Sequence, residues 1–424
     1  MVGDDVKTVK LNSGSSDVKL SGLLFDREYY YETYIELYGT EYNKVKNTFK
    51  TNALAINISE PDQSQFNVNF SGTLQGCGAD DVNELALSLV ITESDGYEQE
   101  HNVELAQDGR FNVSVSGLDI ATDYQYRGIV RQGTLKSYES EPKQLTTTDP
   151  YKDAVKTFAS ATDLAAAGSA NSYIVSASGD YKFPTVKGNS TTSVGSVASV
   201  RILWESVGTS VAPSPKELIS ATGYKDGYAY IEVPSAYKEG NAVVAAYDSS
   251  NKILWSWHIW LTNDPIAEIT YANEAGVMMD RNLGALSADV NSALALGLFY
   301  QWGRKDPFIG SYTISSSDQA QATGLWNSVS CAGSIDYAIS NPTTYLYLTY
   351  DWCGDSTSET TDGIYRWKNG QKTIYDPCPV GYRVPDGGED DFWNRAFPGS
   401  TISDVAQWYS TYRGVTISLN GNTN

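Results

Sequence analysis

Side chains able to do chemistry are scarce in this 424-residue sequence. It holds two histidines, His101 and His258, and four cysteines, Cys77, Cys331, Cys353 and Cys378. Most hydrolytic triads and most zinc sites draw on His. His258 lies in Trp257-His258-Ile259 with no carboxylate or cysteine beside it, so a structural role is expected. The cysteines form no CxxC or other metal spacing, and no phosphate-cradling glycine loop or nucleophile elbow occurs. Glu389, Asp390 and Asp391 could ligate calcium or trade protons. An acid-rich helix start is explained by the helix dipole alone. The expectation is no catalytic residue, no metal and no cofactor. What remains is aromatic: Trp352, Tyr365, Trp367, Trp408 and Tyr412 stand in segments rich in Gly, Ser and Thr. Such side chains stack on sugar rings or on a protein epitope, and these five are the candidate ligand-binding residues.

The charge balance narrows the partners. There are 51 Asp and Glu against 30 Lys and Arg, a net charge of −21. Such a surface repels phosphate backbones and anionic lipid, so neither nucleic acid nor direct membrane insertion is expected. No apolar run approaches the roughly 18 residues of a membrane helix. The longest candidate, Ala293 to Tyr300, is interrupted by Gly297. The opening Met1-Val2-Gly3-Asp4-Asp5 has neither a basic nor an apolar leader pattern, which predicts a cytosolic chain or the mature portion of an exported one.

These residues must be positioned by several domains, because a chain of this length supports three or four cores. All ten tryptophans come from Trp204 onward, so the two halves differ in kind. The first half contains a repeat. Ser21-Gly22-Leu23 returns as Ser116-Gly117-Leu118, Tyr29 and Tyr31 as Tyr124 and Tyr126, and Ile35 as Val130, all at one offset of 95 residues. Phe49-Lys50-Thr51 returns as Leu145-Thr146-Thr147, one residue later. That period suits one seven-stranded sandwich, and the alternating tyrosines read as a strand opened by a tyrosine corner. This half resembles tandem fibronectin type III domains. Residues 1–52 carry only the final strands of a partial sandwich, which predicts a parent chain extending upstream. Residues 53–148 make a full sandwich, with a strand at Phe66 to Phe70 and a hairpin of Leu85 to Thr92 and Glu98 to Leu105. Residues 149–264 read as an Ig-like β-sandwich, with strands Ala242 to Tyr247 and Lys252 to Thr262 around Asp248-Ser249-Ser250-Asn251. In the second strand Trp255, Trp257 and Ile259 share one face, and Leu254, Ser256, His258 and Trp260 the other.

From about residue 265 the pattern changes. Met279-Asp280-Arg281-Asn282-Leu283-Gly284-Ala285 precedes an expected helix, Asp289 to Phe299. Then come Gln301-Trp302-Gly303-Arg304-Lys305-Asp306-Pro307-Phe308 and Tyr375-Asp376-Pro377-Cys378-Pro379-Val380-Gly381-Tyr382-Arg383. A second helix is expected after Asp386, with Asp386 and Glu389 as its capping box and Phe392, Trp393 and Phe397 as its buried face. These strings resemble the FISUMP-type domain of surface and fimbrillin-like proteins of gut Bacteroidota. The resemblance implies an α+β C-type-lectin-like domain over residues 265–424, apparently truncated at its C-terminus. Arg281, Arg304 and Arg383 lie inside these strings, where buried ion pairs or carbonyl contacts are expected. In an exported domain Cys353 and Cys378 are the best-placed disulfide pair. Closing their loop of about 25 residues would contribute roughly 3–4 kcal/mol, while Cys77 stays free.

The expected fold is therefore mainly β: consecutive Ig- and fibronectin III-like β-sandwiches followed by the lectin-like domain. The expected function is that of a non-enzymatic adhesin or surface binding protein. It would be extracellular or at the cell surface, anchored at an outer membrane through a segment outside this sequence. Its partner would be a glycan or a host or bacterial surface protein, with neighbouring subunits possible in a surface assembly. The alternatives are a pilus or fimbria subunit, or a phage receptor-binding protein.

Overall fold

The computed structural model describes residues 9, 11, 17–20, 22–63, 67–93, 96–116, 118–134, 136–207, 214–271, 273–289, 292–309, 327–329, 334–346, 352–353, 366–367, 370–386 and 392–396. Strand accounts for 46% and helix for 5%, so the protein is mainly β. Two compact units are present. One comprises Met1–Asp62, Asn69–Ser114 and Asp123–Leu145, and the other Gln63–Val68, Val115–Thr122 and Thr146–Asn424.

The alternating tyrosines do form strands, and the repeat is visible residue by residue. Glu28–Leu37 and Asp123–Gln132 are both ten-residue strands offset by 95. The first pairs antiparallel with Thr40–Lys50, and the second pairs with Lys136–Glu139 and Lys143–Thr146. A threonine clasp repeats with them. The Thr51 hydroxyl donates to Leu24 O (2.7 Å) and accepts from Arg27 N–H (3.0 Å). The Thr147 hydroxyl donates to Asp119 O (2.5 Å) and accepts from Thr122 N–H (2.9 Å). In the first copy Tyr29 completes a tyrosine corner by accepting Leu24 N–H at 2.8 Å.

Residues 53–148 contain two sheets. Ala55–Ile58, Asn67–Gln75 and Arg110–Ser116 lie in one, while Glu98–Val103, Leu85–Thr92, Asp123–Gln132 and Lys136–Glu139 lie side by side in the other. Phe70 and Tyr126 meet edge to face at 5.1 Å, and both are fully buried. This strand order is the fibronectin III arrangement. The expected hairpin forms with Leu85–Thr92 as anticipated and Glu98–Val103 two residues shorter.

The second unit is built on another sandwich. One sheet holds Thr162–Asp163, Gly179–Pro184, Tyr228–Val233 and Ala221–Lys225; the other holds Ser172–Val175, Ile253–Leu261, Gly240–Tyr247 and Ser199–Ser206. The Asp248 carboxylate closes the 247–253 turn by accepting the N–H groups of Ser250 (2.8 Å) and Lys252 (2.9 Å). As the alternation predicts, Trp255, Trp257 and Ile259 face the inter-sheet core with Phe183, Ile202 and Ile231. The opposite face of the same strand is also buried, because segments from the C-terminal region cover it. Trp260 Nε1 donates to Ala285 O (3.2 Å), Asn241 Nδ2 to Gly284 O (2.9 Å) and Ser256 Oγ to Asp306 Oδ1 (2.5 Å). Sandwich and C-terminal segments thus share one compact unit.

One helix expectation needs correction. Asp289 to Phe299 is no α-helix: only Ala293–Ala295 forms a 3-10 turn, and Phe299–Tyr300 is a strand. Gly297, at φ +73°, brings its backbone against Leu283 O and Asn282, a reversal no helix accommodates. The later helix is described over Phe392–Ala396, and residues 387–391 lie outside the described residues. The Asp386 carboxylate accepts Gly370 N–H (2.7 Å) and pairs with Arg383. Phe392 packs on Tyr271 at 4.8 Å, as its expected burial requires. Glu389, Asp390, Asp391 and Phe397 lie outside the described residues.

Candidate functional site

The charged residues of the C-terminal strings are engaged within the fold: Arg281, Arg304 and Lys305 are buried, and Arg383 is exposed. Arg281 pairs with Asp280 (2.8 Å) and Asp264 (2.9 Å). Arg304 donates to Gln301 Oε1 (2.7 Å), Thr344 O (2.7 Å) and Asn341 O (3.1 Å). Burial lowers the Arg304 guanidinium to about 10, so it stays charged at neutral pH. Lys305 sits beside Asp306 at 2.5 Å with its ammonium 4.6 Å from the Trp255 ring centroid, and desolvation lowers its pKa. Arg383 pairs with Asp386.

His258 is equally committed. Asn241 Nδ2 donates to Gly284 O, which turns Asn241 Oδ1 towards His258 Nε2 at 2.9 Å. Nε2 therefore carries the hydrogen, and Nδ1 accepts from the Ser172 hydroxyl at 3.1 Å. Complete burial depresses the imidazole pKa to about 3. The group is a neutral core bracket.

The aromatic candidates separate. Trp352 is buried: its indole N–H donates to Trp302 O (2.7 Å), and Arg304 and Arg366 lie over its ring at 5.6 and 5.1 Å. It braces the site and offers no open face. Trp367 is half-buried, with its N–H donating to Tyr375 O (3.0 Å) and its ring 6.1 Å from Trp302 in an edge arrangement. Tyr365, Trp408 and Tyr412 lie outside the described residues.

The structure adds Trp302, which the sequence analysis did not select. It is 49% exposed, on the turn between Phe299–Tyr300 and Pro307–Phe308. The Arg366 guanidinium backs its ring at 4.5 Å. Gly303 permits that contact, because at φ +78° a Cβ there would stand 2.6 Å from Arg366 Cβ. The usable signal was a tryptophan placed immediately before a glycine, a turn position where a large ring is left outside. Trp302 and Trp367, stiffened by Arg366 and Trp352, make a rigid aromatic ledge suited to stacking on a flat apolar face.

The disulfide expectation is also corrected. Cys378 is a buried free thiol, pushed up by desolvation, and is not joined to Cys353. Its loop is tied by another device. Asp376 accepts the N–H groups of Cys378 and Val384, both at 2.8 Å, and Lys372 Nζ donates to Cys378 O (2.7 Å) and Tyr382 O (2.6 Å). Cys77 is a free thiol, and Cys331 lies outside the described residues. Among the described residues no group of three His, Cys, Asp or Glu side chains is placed to hold a metal, and no helix is long and apolar enough to cross a membrane.

No protein-family model and no curated protein matches the sequence. Solved structures similar to parts of the chain include the chicken interferon gamma receptor alpha chain, at 11% identity over 29% of this chain and 67% of that one, with a TM-score of 0.22. A human fibronectin type III domain matches at 20% identity over 22% of this chain and 73% of its own, with a TM-score of 0.16. The Bacteroides ovatus mixed-linkage glucan utilization locus protein SGBP-B, solved with a mixed-linkage heptasaccharide, matches at 13% identity over 51% of this chain and half of its own, with a TM-score of 0.17.

Proposed function

We propose that the protein is a non-enzymatic surface binding protein or adhesin. β-Sandwiches act as its stalk, and a lectin-like C-terminal region presents the ligand site to a glycan or a surface protein outside the cell. The observation that carries this reading is the Trp302 ledge, an indole left half-exposed yet held rigid by Arg366, Trp367 and Trp352. A large, pre-ordered aromatic in a turn is what a binding surface needs, and it does nothing for the core. The sandwich strands and the C-type-lectin-like resemblance of residues 265–424 support the same reading. Binding of the chain to a glycan and host-protein array, repeated with Trp302→Ala, tests it. Loss of a tryptophan anchor costs about 2 kcal/mol, roughly 30-fold in affinity. Unchanged retention of every bound ligand by Trp302→Ala, with an unshifted melting temperature, would defeat the assignment.

One observation favours the second reading, a pilus or fimbria subunit or a phage receptor-binding protein. In the Glu28–Leu37 strand Tyr31, Ile35 and Leu37 are 42%, 53% and 55% exposed, whereas their repeat equivalents Tyr126, Val130 and Gln132 are buried. Such a face can be completed by strands from another segment of the parent chain or from a neighbouring subunit, and the second completion is the one an assembly subunit would use. Sedimentation of the native chain against Ile35→Asp/Leu37→Asp distinguishes the readings: self-association lost in the variant favours assembly, and a monomer at all concentrations rejects self-assembly.

A further inference from the structure

Lys372 does more in the second unit than close a turn. Its side chain is only 17% exposed, and its ammonium stands among four oxygens. These are Tyr382 O at 2.6 Å, Cys378 O at 2.7 Å, Pro379 O at 3.2 Å and Asp376 Oδ1 at 3.3 Å. The carboxylate is the most distant of the four and already has other work, because Asp376 Oδ1 and Oδ2 accept the N–H groups of Cys378 and Val384. Lys372 is therefore a partner of backbone carbonyls first and half of an ion pair second.

Carbonyl oxygens turned towards one point repel one another and need a shared donor. Cys378 and Pro379 are buried, which keeps away the bulk water that would otherwise serve. The loop is also poor in N–H groups. Pro377 and Pro379 have none, and those of Cys378 and Val384 go to Asp376. A lysine ammonium has three donors and no acceptor, which matches three carbonyls. A calcium ion takes 6–8 oxygens at about 2.3–2.6 Å. Four oxygens at 2.6–3.3 Å are too few and too distant for it and suit a larger, singly charged ion.

The residues next to Lys372 carry the ledge. Thr373 donates its hydroxyl to Arg366 O at 2.5 Å, and Tyr375 O accepts the Trp367 indole N–H at 3.0 Å. Asn171 Nδ2 ties the same segment to the sandwich through Ile374 O (2.7 Å) and Asp376 O (2.8 Å). Lys372 ties it to the loop 378–384. We propose that residues 372–384 form a cage for one small monovalent cation, filled by the chain's own Lys372 ammonium. This cation positions the Trp302 ledge by fixing the segment that holds Arg366 and Trp367. Lys372 is a positioning residue, acting through those two side chains. With its side chain removed and the oxygens left in place, the cage takes ammonium or potassium from solution. The use made of the ledge rests on the binding reading above; the cage does not.

The test is hydrogen exchange and hydroxyl-radical footprinting of the full chain, both read by mass spectrometry. Lys372→Ala and Lys372→Met are compared with the native chain in ammonium, potassium, sodium and tetramethylammonium chlorides at equal ionic strength. In tetramethylammonium chloride both variants should exchange the amides of residues 376–384 roughly 10-fold faster than the native chain, the loss expected for a charged hydrogen-bond donor. Oxidation of Trp367 should rise several-fold. Ammonium or potassium should restore both readings in Lys372→Ala. Lys372→Met, whose stem fills the cage without a charge, should not respond. Restoration by all four salts alike, restoration by none, equal restoration of Lys372→Met, or native protection in either variant overturns the cage, as does a Lys372→Ala chain that stays unfolded in ammonium chloride. Unchanged Trp367 oxidation in a variant whose loop exchanges faster overturns the positioning role. Full ligand retention by Trp302→Ala would defeat the ledge reading and leave the cage result standing.

Discussion

Replacing His258 by Gln should abolish one defined part of the acid sensitivity of the second unit. The imidazole is fully buried, and that desolvation depresses its pKa from 6.5 to about 3, while Asn241 and Ser172 bond the neutral ring. A depressed basic group makes the unfolded chain bind the proton first, so stability is intact above about pH 6.5 and is lost as pH falls. With those two values the loss between pH 7 and pH 5 is about 2 kcal/mol, from 1.36 kcal/mol per pH unit below the unfolded pKa. Glutamine can still donate to Asn241 Oδ1 and accept from Ser172 but takes no proton. It should cost about 1–3 kcal/mol at pH 7 through imperfect packing, with this term then absent down to pH 5. Glu205, whose pKa is raised by burial, contributes in the opposite direction in both proteins and cancels in the comparison.

The assay is urea unfolding followed by tryptophan fluorescence at pH 7, 6 and 5. All ten tryptophans come from residue 204 onward, so the signal reports on the second unit. His101 belongs to the first unit and does not register. The stability difference between native chain and variant should shrink by about 2 kcal/mol from pH 7 to pH 5. Parallel losses in both proteins would refute the neutral, doubly bonded assignment of His258.

Other outcomes follow from the same core. Trp255→Phe should destabilise by about 1–2 kcal/mol more than Trp257→Phe in chemical denaturation. The first strands Asn171 Oδ1, which accepts Trp255 Nε1 at 2.9 Å, whereas Trp257 Nε1 has no partner among the described residues to lose. Thr147→Val removes the clasp hydroxyl and should cost about 1–2 kcal/mol, while Thr51→Val, at a more exposed clasp, should cost less.

Much of the architecture was legible because strand alternation and turn chemistry are local. The tyrosines at 29, 31, 124 and 126 marked two equivalent strands, and the Asp248-Ser249-Ser250-Asn251 turn marked a hairpin that forms with Asn251 at φ +66°. The 96-residue offset between Thr51 and Thr147 marked a hydrogen-bonded clasp that no strand pattern announces. The site was less legible. Trp352 and Trp367 look alike in the sequence, yet one is sealed by Arg304 and Arg366, which stand 48 residues before and 14 after it. Trp302 passed unnoticed because its exposure depends on Gly303 admitting Arg366, a contact across 63 residues.

The strand Ile253–Leu261 explains why the second half of the chain reads so differently from the first. A strand covered on one face alternates apolar and polar residues, as Asp123–Gln132 largely does. Here Trp255, Trp257 and Ile259 fill the sandwich core while Ser256, His258 and Trp260 meet a second layer drawn from residues 284–306. The second face is buried but polar in part, so each of its groups needs a partner. Ser256 has Asp306, His258 has Ser172 and Asn241, and Trp260 has Ala285 O. That demand accounts for the charged strings Asp280-Arg281 and Arg304-Lys305-Asp306, whose side chains are buried in the same second layer. Their distinctive pattern is a packing requirement of the sandwich they cover. Trp302, half-exposed on the outer turn of that layer with Arg366 against its ring, is left out of this demand.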